Sequence, residues 1–137
     1  MKVALARSAR QSCAVNLNWK KVRAIALVEV QATVESLPGP LRVRVEKLPV
    51  ILERQPNAEL QADGIEADTL GLFTGAEFVE ANEVPLQPQI ILFLGNIWDF
   101  AETNERLFRE EVRTTFLHEL GHYLGLDEDG LVERGLE

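Results

Sequence analysis

Residues 114–129 read TTFLHELGHYLGLDED, and within them His118-Glu119-Leu120-Gly121-His122 sets two histidines four residues apart. An α-helix turns about 100° per residue, so that spacing stacks the two imidazoles on one face. The chain has only two histidines. Random placement would put them four apart with a glutamate after the first in roughly 0.2% of cases.

Working outward, Phe108, Val112, Phe116 and Leu120 recur every fourth residue and form an apolar stripe. A helix through the motif would turn this stripe to a core and hold His118 about 160–200° from Phe116 and Leu120. The histidines are then predicted to face a cleft or a second layer. Two neutral imidazoles with one further nitrogen or oxygen ligand suit Zn²⁺, whose fourth position holds a water of lowered pKa. Glu119 lies about 100° round the helix from His118, close enough to take that water's proton and too offset to be the natural third ligand. It is the candidate general base. Gly125 sits where a left-handed cap would end the helix, and Asp127, Glu128 and Asp129 follow as candidate donors.

Taken together, HELGHYLGLDE at 118–128 resembles the extended H-E-x-x-H-x-x-G-x-x-(H or D) pattern of the metzincin-like zincin metallopeptidases. More narrowly, the chain is similar to the small bacterial minimal-zincin family of zinc metallopeptidases. The likeness runs over residues 18–131: a leading helix, Leu70-Gly71-Leu72-Phe73-Thr74-Gly75, a strand at 89–94 after a proline, and the motif helix. The resemblance implies peptide-bond hydrolysis, with His118, His122 and Glu128 as metal ligands, Asp127 as a one-residue alternative to Glu128, and Glu119 as base. It departs from full-sized metzincins in two ways. The only methionine is Met1, so no Met-turn can lie beneath the metal, and an acid replaces the usual third histidine.

Composition sets the outer bounds. At 137 residues the chain is read as one domain over 17–137, preceded by a loose basic leader at 1–16. Residues 1–23 carry Lys2, Arg7, Arg10, Lys20, Lys21 and Arg23 with no acid, leaving a charge of −14 on the remainder of a chain whose net charge is −8. So acidic a body disfavours nucleic-acid phosphates. Cys13 is the only cysteine, which excludes an intrachain disulfide and fits a reducing, cytoplasmic compartment. The longest apolar runs are far shorter than the roughly 20 residues of a membrane helix. The expected partner is a peptide or protein substrate; oligomeric state is left open.

Along the chain, Asn18 is a candidate N-cap for a first helix whose apolar positions include Leu27, Val30, Val34 and Leu37. Its Lys20-Lys21-x-Arg23 cluster reads as a solvated helix start. Pro40 opens either a short helix or, from the alternation of Val43 and Val45, a strand, and the resemblance favours the helix. Val50-Ile51-Leu52 predicts a short strand inside the sheet, and 57–68 a polar loop ending in a brief helical turn. Gly71 and Gly75 suggest tight turns or a close backbone approach. Residues 76–80 suit an outer edge strand, and 89–94, apolar on both faces, a central strand ended by Gly95-Asn96. Asp99 or Thr103 can start the long motif helix, with Trp98 and Phe100 bracing its beginning. Tyr123 is read as a packing residue.

The resulting expectation is an α+β minimal zincin-like domain: a small mixed sheet on two main helices, with the motif on the long C-terminal one. Two other classes fit parts of the pattern. A metal-dependent ribonuclease also uses histidines four apart, but resembles H-x-x-x-H-x-x-x-x-x-H, with no base at the Glu119 position. A non-catalytic metal-binding or interaction domain would keep the fold and close the site.

Overall fold

The computed structural model describes residues 2–6 as main chain only, and residues 18–75 and 88–124 in full. The elements in chain order are β1 (Lys2–Ala6), α1 (Trp19–Glu35), α2 (Gly39–Val45), β2 (Val50–Glu53), α3 (Ala58–Ala62), β3 (Thr69–Thr74), β4 (Gln89–Phe93), α4 (Leu94–Phe100) and α5 (Glu105–Tyr123). The four strands form one mixed sheet in the order β1-β3-β4-β2. β3 is antiparallel to both β1 and β4, and β2 runs parallel to β4.

Local chemistry explains most boundaries. Asn18 caps α1 by accepting a hydrogen bond from the Lys21 amide at 3.2 Å, and Asn57 and Asn104 do the same for α3 and α5. Pro40 is the second residue of α2, where its missing N–H costs nothing. β4 is apolar on both faces because both are covered. Ile90 and Leu92 join the large core under the helices, while Ile91 and Phe93 pack with Leu72 on the far side against Leu60 and Ile65.

The motif helix crosses the sheet over β3, β4 and β1, with α1 packed beside it. Phe108, Val112, Phe116 and Leu120 are fully buried along its inner face, as the four-residue spacing requires. Each such side chain stabilises the fold by about 1.5–3 kcal/mol relative to exposure. This is an α+β fold built on two main helices.

Several expectations are corrected. Lys2–Ala6, expected within a loose leader, pairs with β3 and stands first in the order of the described strands. β2 stands at the other end of the order rather than inside the sheet, with Val50 and Ile51 only half-buried. The strand at 89–94 stops at Phe93, and Leu94 begins α4 without a loop; Gly95-Asn96 is therefore helical. Gly95 is required there, since its amide donates to the Arg54 carbonyl at 3.0 Å and a β-carbon would meet that oxygen at 2.7 Å. The motif helix is capped by Asn104, one residue beyond the later expected start at Thr103, because Glu102 (φ 55°) and Thr103 (φ 59°) turn the chain between α4 and α5. Leu27 lies outside the core, 48% exposed. The edge strand expected at 76–80 lies outside the described residues.

Candidate metal centre

About three and a half turns of α5 separate its capped start from the motif, so a rigid element carries both histidines to the surface of the core. His118 and His122 are half-buried, on the side of α5 away from Phe116 and Leu120. Their Nε2 atoms stand 3.2 Å apart, with ring centroids at 4.8 Å and planes inclined by 77°. Tetrahedral zinc with Zn–N bonds of about 2.0–2.1 Å has a ligand-to-ligand edge of about 3.3–3.4 Å. The two nitrogens therefore fit one tetrahedral edge.

Glu119 occupies a different environment. Its side chain is fully buried, turned toward β3, and Gly71 is the strand residue beneath it. A β-carbon at residue 71 would lie 2.6 Å from Thr115 Cγ2, 3.2 Å from Glu119 Cγ and 3.6 Å from Glu119 Oε2. The close backbone approach expected of Gly71 is thus realised, and it makes the seat of the carboxylate. That connection was not foreseen; a glycine inside an otherwise apolar strand is its only sequence signal.

Two neighbours complete the surroundings. Tyr123 packs edge-on against Phe73 with centroids 5.8 Å apart and lies under the Arg44 guanidinium at 5.9 Å, which agrees with a packing role. Asn96, unread as a structural residue in the sequence, is 5% exposed and donates from Nδ2 to the carbonyls of Ala67 (2.7 Å) and Thr69 (2.8 Å). It pins α4 to the start of β3, the strand that seats Glu119. Its sequence context, Gly95-Asn96 after a strand, mimics a turn.

Glu128 and its alternative Asp127 lie outside the described residues. Among the described residues no set of three His, Cys, Asp or Glu side chains is gathered for a metal. A complete protein ligand set consequently needs a donor from outside them. No described helix is long and apolar enough to cross a membrane.

An α+β sheet-and-helix domain whose last described helix presents two histidines at a chelating separation and a glutamate between them fits a zincin-type fold. Residues 45–136 match the family described as zincin-like metallopeptidase, and the chain belongs to that family. No curated protein matches the chain. Family membership carries the coarse function, a zinc-dependent peptidase class, for this chain.

Proposed function

We propose that this protein is a zinc metallopeptidase in which His118 and His122 hold the metal, Glu128 completes the ligand set and Glu119 is the general base. The 3.2 Å separation of the two Nε2 atoms is the observation that carries this reading. When bound, zinc lowers the pKa of a water at its open position and polarises the scissile carbonyl.

The chain's own groups do the rest. Each imidazole is presented by the same helical turn, so the pair needs no rearrangement to close on a cation. Glu119 accepts the proton of the attacking water at a carboxylate oxygen. It then returns that proton to the amide nitrogen as the C–N bond breaks, leaving a free carboxyl group and an amine. The burial of Glu119 excludes bulk water from this transfer.

Elemental analysis of purified wild type, His118→Ala and Glu119→Gln tests the assignment. Expected are near-stoichiometric zinc in wild type and in Glu119→Gln, its loss in His118→Ala, and peptide hydrolysis by wild type alone. Zinc-free wild type after exposure to zinc near neutral pH overturns the reading. The complete burial of Glu119 favours one second reading, a metal-binding domain without turnover. Stoichiometric zinc with equal absence of hydrolysis in wild type and Glu119→Gln would select it.

A further inference from the structure

The outer face of α1 has no counterpart in the core. Val22, Ile25, Ala26, Val30 and Thr33 are buried and define its inner side. Directly opposite, at about 100° per residue, Lys20, Ala24, Leu27, Val28, Gln31 and Glu35 fall within one stripe about 100° wide. Leu27 is 48% and Val28 60% exposed, the two largest apolar groups that α1 gives to solvent.

Charge along this stripe changes sign from end to end. Lys20, with Lys21 and Arg23 beside it, occupies the N-terminal turn, and Glu35 the last. Gln31 lies between, donating from Nε2 to Glu35 Oε1 at 3.4 Å. An apolar centre flanked by a cationic end and an acidic end is self-complementary when two such helices run antiparallel.

We propose that a second copy of this chain docks here, α1 against α1, antiparallel about a two-fold axis passing between Leu27 and Val28. That axis sets Lys20 opposite Glu35 of the second copy, Ala24 opposite Gln31, and Leu27 opposite Val28. A parallel arrangement would instead set Lys20 against Lys20. The small Ala24 permits the close interaxial distance of about 8–10 Å that packed helices adopt. One 17-residue helix, about 25 Å long, makes a contact at the small end of specific interfaces, so the dimer is concentration-dependent. The contact is isologous, closes on itself and does not propagate into filaments.

Sedimentation of the full chain tests this, run over a concentration series up to the high-micromolar range with a chelator present to remove metal-bridged association. Wild type is expected to approach twice the monomer mass. Lys20→Glu and Glu35→Lys should each weaken association about tenfold, and the two changes in one chain should restore it. Leu27→Asp should give a monomer of unchanged thermal stability, because its site is solvent-facing. A wild type that stays monomeric throughout overturns the proposal. So does a double variant as weak as its parents, or a dimer indifferent to Leu27→Asp.

Discussion

Glu119 is seated on Gly71: the catalytic candidate on the last helix fits only because the third strand has no side chain where the two cross. Gly71→Ala would drive a methyl group to 2.6 Å from Thr115 Cγ2 and 3.2 Å from Glu119 Cγ. Overpacking of this kind destabilises by about 1–3 kcal/mol. Thr115→Ser deletes the nearest clashing methyl, so the double variant should recover most of the lost stability. The contact with Glu119 remains in the double variant. Its hydrolytic rate should therefore stay below wild type while its zinc content is unchanged, as parallel denaturation, metal analysis and peptide assays would show.

Metal binding should be visible in stability. A ligand that binds only the folded state adds about 2.7 kcal/mol at a free concentration one hundred times its Kd. Zinc is expected to raise the melting temperature of wild type, and a chelator to reverse the rise. His122→Ala should abolish the shift, because one imidazole leaves the tetrahedral edge incomplete. A shift of equal size in that variant would exclude His122 as a ligand.

Asn96→Ala strands two carbonyls, of Ala67 and Thr69, that now accept from Nδ2 at 2.7 and 2.8 Å. The cost expected is about 2–3 kcal/mol, read from urea or thermal unfolding. An unaffected midpoint would mean that water replaces the amide without loss. Asn96 stands on α4 and bonds the start of β3, whereas the histidine pair stands on α5, and the zinc content should remain that of wild type.

Thr103→Gly is expected to stabilise. Thr103 is β-branched and held at φ 59°, where a glycine meets no steric penalty. The hydroxyl given up donates to the neighbouring Glu102 carbonyl at 2.6 Å. The gain should be about 0.5–1 kcal/mol, or a few degrees in melting temperature, after the added flexibility of the unfolded chain is allowed for. A lowered midpoint would place the hydroxyl's bond above the backbone strain.

Much of the helical framework was readable in advance. Asn18 announced α1, and the spacing of Phe108, Val112, Phe116 and Leu120 gave both the existence of α5 and the face it buries, whereas at Pro40 the residues suited helix and strand alike and the resemblance favoured the helix that α2 is. The strands were legible as segments but not as neighbours: Val50-Ile51-Leu52 reads as central by composition, yet only pairing decides that β2 stands last in the order of the described strands. Strong propensity also misled at Leu94, where an apolar run continues across a change from strand to helix. The histidine pair was legible because its partners are four residues apart. The seat of Glu119 was not, since nothing in the order of residues says that Gly71 will lie under it.

That contrast separates two kinds of information within a single centre. The nitrogen pair is a short-range object: its two side chains stand four residues apart on one stretch of α5. The carboxylate seat is a long-range object, assembled only when β3 takes its place in the sheet. The two halves of the centre thus depend on different parts of the fold: the nitrogen pair on α5 alone, the carboxylate seat on the pairing of β3 as well.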